Sequence, residues 1–178
     1  AKLLAQKPQL LLLDEPFSNL DGIHKNIIKG VIENVGKLFG ITTIMVSHDA
    51  ADVLSWADNI MVLKQGKLVQ QGTPHTIYHT PTNAYVAALF GPYAVVKTSL
   101  IAQLFPTAFM EATTEDVILR PSFWQVGTNP HAGVAANITA ASFLGHGYLL
   151  HAVLQQSTIV LYTTNPALAA ASIVYVEP

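Results

Sequence analysis

Two adjacent carboxylates, Asp14 and Glu15, follow the unbroken apolar run Leu10 to Leu13, and a third, Asp21, ends the turn-forming stretch that comes next. Apolar residues would finish a buried strand at lower cost, because buried charge is expensive unless paired or bound to metal. The pattern therefore predicts a division of labour. Asp14 holds a hard cation such as Mg²⁺, directly or through water. Glu15 is then left to orient and deprotonate a water molecule. Asp21 reads in two compatible ways, as the N-cap of the following helix and as a further carboxylate of the site. A second apolar run, Ile41 to Val46, ends in Ser47-His48-Asp49. Alone, a histidine after a strand is a surface or capping residue. In the company of Asp14 and Glu15, His48 reads as a sensor of a terminal phosphate, donating a hydrogen bond to charge that develops there.

The elements that must position these groups follow from periodicity. Short apolar runs such as Leu10 to Leu13 and Ile41 to Val46 are expected of buried parallel strands. Between them, Ile27, Ile28, Val31, Ile32, Val35 and Leu38 recur at helical spacing with Lys25, Lys29, Glu33 and Lys37 on the other face, and Gly40 ends the helix. Ala50 to Trp56 reads as a short helix. Ile60 to Leu63 and Lys67 to Gln71 read as a hairpin turning at Gln65-Gly66, and Thr73-Pro74 as a helix start. Strand, helix, strand, helix is the α/β pattern with a parallel sheet, in which ligands sit beyond the carboxyl ends of the strands.

Charge changes along the chain: 14 of the 20 charged residues fall in positions 1–90, and the single arginine, Arg120, lies beyond. A boundary is expected at Phe90-Gly91-Pro92, giving domains 1–91 and 92–178. The second half shows short alternating runs at Asp116 to Leu119, Gly133 to Ile138, Tyr148 to Leu154, Ser157 to Thr163 and Ser172 to Val176, which predict a small antiparallel barrel or sandwich. With 51% hydrophobic residues among 178, a sizeable core is available. Only 11% are charged, against roughly 25% in average domains, so some apolar surface is expected to meet a partner. A net charge of −2 gives no electrostatic case for nucleic acid. The chain has no cysteine, no signal-peptide pattern and no apolar run near the roughly 20 residues of a spanning helix, so a cytoplasmic protein is expected.

The stretch "LLLLDEPFSNLD" resembles the Walker B strand and D-loop of ATP-binding cassette (ABC) ATPases, and "TTIMVSHDAADVLSWADNIMVLKQGKLVQQGTPHTIYHTPTNAYVAALFG" resembles their stretch from the switch histidine onward. The likeness covers residues 1 to about 91. It implies a partial P-loop NTPase sheet in which Asp14 coordinates Mg²⁺, Glu15 is the general base, Asp21 faces the opposite subunit and His48 contacts the γ-phosphate. "VILRP" and "ASFLGHGYLLHAVL" are similar to the OB-like (TOBE-type) regulatory domain of importer ATPases, although Ser122 stands where that domain usually has an acidic residue. The resemblance implies ATP and Mg²⁺ as cofactors, a second ATPase subunit and membrane permease subunits as partners, and a place on the inner face of the membrane.

No G-x-x-x-x-G-K-[ST] loop, no Leu-Ser-Gly-Gly-Gln segment and no glutamine loop occur in the 178 residues, so the chain alone is expected to be inactive, as the C-terminal part of a longer ATPase. Its exposed strands are expected to associate with another copy. The alternative reading is a non-enzymatic regulatory and dimerisation module whose β-domain binds a small solute or anion. One arginine in the second half argues against a multi-arginine oxyanion cage. His75 and His79, four apart, have metal-holding spacing but no third ligand nearby, and read as solvent-facing. His131, His146 and His151 read as surface, and Trp56, Trp124 and Phe17 as packing residues.

Overall fold

A computed structural model describes residues 8–106 and 116–178, which divide into two compact units, 8–60 with 71–75, and 61–70 with 76–178. In the first unit, β1 (Leu10–Asp14) and β2 (Thr42–Val46) pair in parallel, in register from Leu10 with Thr42 to Asp14 with Val46. The connection between them is α1 (Gly22–Phe39), which starts at Asp21 and stops at Gly40. Gly40 lies at φ 64°, the left-handed conformation that glycine reaches without a Cβ penalty. A short helix, α2 (Ala50–Leu54), starts where Asp49 accepts a hydrogen bond from the Ala51 amide.

The strands are less covered than their composition predicts. Leu11, Leu13, Thr43 and Met45 are half-buried, and Leu11 and Thr43 line a small apolar cavity together with Val31, Ile32 and Val35 of α1. The opposite face, with Leu10, Leu12, Ile44 and Val46, is open, Leu12 being 67% exposed. The apolar stripe of α1 is also partly bare: no residue of the helix is fully buried, and Ile27 is 57% exposed. Two strands offer too little surface to cover an 18-residue helix. Lys25 and Lys29 depart from the expected solvent face, their side chains being 23% and 14% exposed against α2.

The hairpin of β3 (Ile60–Lys64) and β4 (Lys67–Gly72), whose residues 61–70 belong to the second unit, turns at Gln65 and Gly66, both with positive φ, the turn that suits the twist of two antiparallel strands. α3 (Pro74–His79) and α4 (Ala84–Leu89) follow. Gln70 fixes the segment between them, donating to the Thr80 carbonyl at 3.0 Å and accepting from the Thr82 amide at 2.9 Å. The Tyr85 hydroxyl donates to the Leu63 carbonyl at 3.1 Å. β5 (Ala94–Lys97) leads into α5 (Thr98–Leu104) and pairs antiparallel with β6 (Asp116–Leu119).

A five-stranded antiparallel sheet completes the unit in the order β10-β9-β8-β11-β7, with β7 (Gln125–Gly127), β8 (Val134–Phe143), β9 (Tyr148–Leu154), β10 (Ser157–Thr163) and β11 (Ile173–Glu177). A single turn of helix, α6 (Pro166–Ala169), precedes β11. The sheet curls into a half-barrel around Leu150, Leu154, Ile159, Leu161, Val174 and Val176, joined by Val96 and Ile101. β9 alternates, with Leu150, Ala152 and Leu154 buried and the residues between them half-exposed, whereas β10 buries three consecutive residues, Ile159, Val160 and Leu161. β8 runs five residues past the predicted end at Ile138, through a bulge between Ile138 and Ala140. Gly133 enters β8 where a Cβ would lie 2.6 Å from the Val176 carbonyl oxygen.

Arg120 directly follows β6 and is 4% exposed. Its Nε donates to the Tyr78 carbonyl at 3.0 Å, and Nη1 to the carbonyls of Ala87, Gly91 and Pro92 at 3.0, 2.9 and 3.1 Å. The guanidinium lies over the Tyr78 ring at 4.3 Å. The one arginine of the chain is thus spent on tying the ends of α3 and α4 to the strand system. No helix among the described residues is long and apolar enough to cross a membrane.

Candidate functional site

Parallel pairing brings the carboxyl ends of β1 and β2 to one edge. The Glu15 amide donates to the Val46 carbonyl at 2.9 Å, extending the ladder by one residue, and each chain then leaves the sheet. Asp14 ends β1, Glu15 follows it, and His48 follows β2 by two residues. His48 Nδ1 lies 2.7 Å from Glu15 Oε1. Glu15 sits at φ 46°, left-handed for a residue with a Cβ, a strain of order 1–3 kcal/mol that the surroundings must impose. Ser18 imposes part of it: its amide and its Oγ both donate to the Glu15 carbonyl, at 3.2 and 2.8 Å. Beneath the turn Phe17 is 2% exposed and meets Trp56 edge to face at 5.9 Å.

The electrostatics follow this geometry. The hydrogen bond that the His48 ring donates to Glu15 raises the His48 pKa, helped by the charges of Glu15 and Asp49 and opposed by burial and Lys25. The imidazole is solvent-exposed, so screening moderates the effect. Asp14 is exposed, and among the described residues its carboxylate has no hydrogen bond or ion pair. Asp21 caps α1: its Oδ1 accepts from the His24 amide at 2.9 Å, and the His24 ring lies 2.8 Å from Oδ2. The backbone bond first, and the ring second, hold the Asp21 carboxyl below its usual range. The structure therefore brings Glu15 and His48 into contact, leaves Asp14 open beside them, and engages Asp21 in its cap.

No group of three His, Cys, Asp or Glu that could hold a metal occurs among the described residues, and His75 with His79 forms none. Mg²⁺ is commonly held by one or two carboxylates completed by water and phosphate oxygens. Asp14 fits as one such carboxylate, whereas Glu15 is occupied by His48.

No family model matches the chain. A ferric-ion import ATP-binding protein of Rhodococcus jostii is 36% identical over 159 residues, which are 84% of this chain and 45% of that protein. A spermidine/putrescine import ATP-binding protein of Clostridium acetobutylicum is 30% identical over 176 residues, 93% of this chain and 50% of that protein. The homologues of this chain are ATP-binding subunits of ABC importers. The chain spans about half the length of the curated relatives it matches, in their C-terminal part. A glucose import ATP-binding protein of Saccharolobus solfataricus is 45% identical over 91 residues, 51% of this chain and 26% of that protein.

Sequence reasoning missed a cluster next to the site. Lys25 and Lys29, four apart on α1, meet Asp52, three residues after Asp49. The acid and base spacings were the available signal, but nothing in one sequence shows that α2 faces α1.

Proposed function

We propose that this chain is the C-terminal part of the ATP-hydrolysing subunit of an ABC-type importer, coupling ATP hydrolysis to solute uptake. One observation carries the reading: Glu15 and His48 in contact at 2.7 Å beyond the carboxyl ends of adjacent parallel strands, with Asp14 open at the same edge. In this reading Asp14 is the protein carboxylate toward Mg²⁺, and Glu15 accepts a proton from the attacking water. His48 donates toward the γ-phosphate, and Asp21 faces the opposite subunit. Mg²⁺ bound with ATP supplies charge neutralisation at the phosphates. The His48 contact orients the Glu15 carboxylate, and the left-handed backbone of Glu15 turns it out of the strand direction.

The bare face at Leu10, Leu12, Ile44 and Val46 supports a longer polypeptide, because parallel sheets are covered on both faces. So does the length of the relatives. The curled five-stranded sheet supports an OB-like regulatory domain over 92–178 after an ATPase part over 1–91. ATP and Mg²⁺ as cofactors, a second ATPase subunit and permease subunits as partners, and a cytoplasmic position against the membrane complete the proposal. The relatives are named for different solutes, ferric ions, spermidine/putrescine and glucose, and none is carried over. The test is the intact mass and ATP turnover of the product made by its native cell. A product about twice this length whose turnover falls roughly 10²-fold or more in Glu15→Gln supports the reading. A product of 178 residues that neither binds nor hydrolyses ATP overturns it.

A second reading, a non-enzymatic regulatory and dimerisation module, is favoured by an open groove of about 780 Å³ in the second unit, lined by Tyr93, Lys97, Asp116, His151, Gln156 and Ser157. Lys97 is paired with Asp116 at 2.6 Å, so the groove favours a polar solute over a strong anion. Solute binding by a product indifferent to nucleotide would establish that reading.

A further inference from the structure

Once Asp14, Glu15, Asp21 and His48 have roles, one cluster near them is left over. Asp52 is 5% exposed, and a carboxylate so buried is costly unless its oxygens find partners. Both of its oxygens are used: Oδ2 accepts from Lys25 Nζ at 2.9 Å, and Oδ1 pairs with Lys29 Nζ at 3.1 Å. Lys25 makes a second bond, to Asp49 Oδ2 at 2.9 Å, while the other oxygen of Asp49 accepts from the Ala51 amide at 3.0 Å. At the opposite end the Lys25 amide closes the first turn of α1 on the Asp21 carbonyl at 2.9 Å. One ammonium therefore spans the N-terminal turns of two helices, one beginning after Asp21 and the other directly behind His48. Lys29 reinforces the link, lying 5.4 Å from the centre of the Phe17 ring under the turn that follows Glu15.

We infer that Lys25, anchored by Asp52, is a positioning residue: it holds the first turns of α1 and α2 as one body, so that His48 stays within reach of Glu15. The inference rests on the proposed roles of Glu15 and His48. It is separable from them, because the position of His48 is measurable without nucleotide. The groups that act on the imidazole are Glu15 in direct contact and the charges of Asp49 and Lys25. The Lys25 charge by itself disfavours protonation of His48. Loss of that charge alone would raise the His48 titration midpoint. Loss of the contact with Glu15 would lower it.

The experiment is a ¹⁵N NMR titration of His48 in the 178-residue chain, assigned with His48→Gln. Lys25→Met is compared with Lys25→Arg and with Glu15→Gln, which sets the midpoint of an imidazole without its partner. The expected result is a midpoint in Lys25→Met lowered most of the way to that of Glu15→Gln, and one close to the parent in Lys25→Arg. A midpoint in Lys25→Met that rises, or stays at the parent value, overturns the inference while leaving the Glu15–His48 contact intact. No fall in Glu15→Gln itself overturns the contact and the inference together. Should Lys25→Met unfold for want of a partner for Asp52, Lys25→Met with Asp52→Asn removes the uncompensated carboxylate, and the same fall is expected.

Discussion

Replacing Arg120 by methionine keeps an apolar stem over Tyr78 and removes the guanidinium from four carbonyls. Nε carries one proton and Nη1 two, so at most three well-made bonds are lost. The Ala87 carbonyl also keeps a bond from the Phe90 amide at 3.2 Å. At roughly 1.5 kcal/mol or more for each charge-assisted bond, less the desolvation recovered when a buried cation is removed, the net loss is about 3 kcal/mol. That is a large fraction of the roughly 5–15 kcal/mol that holds a domain folded. The assay is urea unfolding followed by tryptophan fluorescence in a Trp56→Phe background, leaving Trp124, which is 5% exposed in the same unit, as the only reporter. With a denaturant slope of about 1.5 kcal/mol per molar, the midpoint falls by about 2 M. Arg120→Lys, which keeps the charge without the planar fork, falls in between. A shift under about 0.5 M at unchanged slope refutes the reasoning, because the carbonyls would then be satisfied without Arg120.

Glu15→Gln changes how stability depends on pH. Because the folded-state pKa of His48 is raised, its contribution is fully present below the unfolded value of about 6.5 and is lost as pH rises through the folded value. Melting temperatures across that window should lose this component in Glu15→Gln. Gly133→Ala drives a methyl against the Val176 carbonyl, which cannot move without opening the β8–β11 ladder, so a loss of about 1–3 kcal/mol is expected by calorimetry. Asp21→Ala removes the cap of α1, and faster amide exchange at His24 than at Asn137 in β8 is the expected signature.

The site was legible in the sequence to the extent that it depends on strand ends. Two apolar runs that terminate in Asp14-Glu15 and in Ser47-His48 place those residues together as soon as the runs pair in parallel. The part that depends on neighbours was not legible. Helical periodicity assigns Lys25 and Lys29 to solvent, and only tertiary packing shows that Asp52 faces them. The left-handed backbone of Glu15 has no signature, since proline after it argues for an extended residue instead. In the second half the alternation fades over Thr139, Ala140, Ala141 and Ser142, whose side chains are small, so the end of β8 is set by the register of β9 rather than by its own pattern. The Gln65-Gly66 hairpin was legible because its turn demands residues that tolerate positive φ.

The chain passes between its two compact units three times, after Ile60, Gln70 and His75. A gene exchange with a single joint therefore cannot trade one unit cleanly for that of a relative. A joint after His75 leaves residues 61–70 from one parent against 76–178 from the other, and the Tyr85 hydroxyl and Gln70 side chain must then serve foreign backbones. The acceptors at Leu63 and Thr80 are main-chain carbonyls, which any sequence supplies, so such hybrids depend chiefly on retaining tyrosine and glutamine at those two positions. A joint after Ile60 keeps the second unit whole and transfers only residues 71–75 of the first with it. Chimeras built at that joint are the ones in which a β-rich unit can be exchanged without rebuilding the edge that carries Asp14, Glu15 and His48.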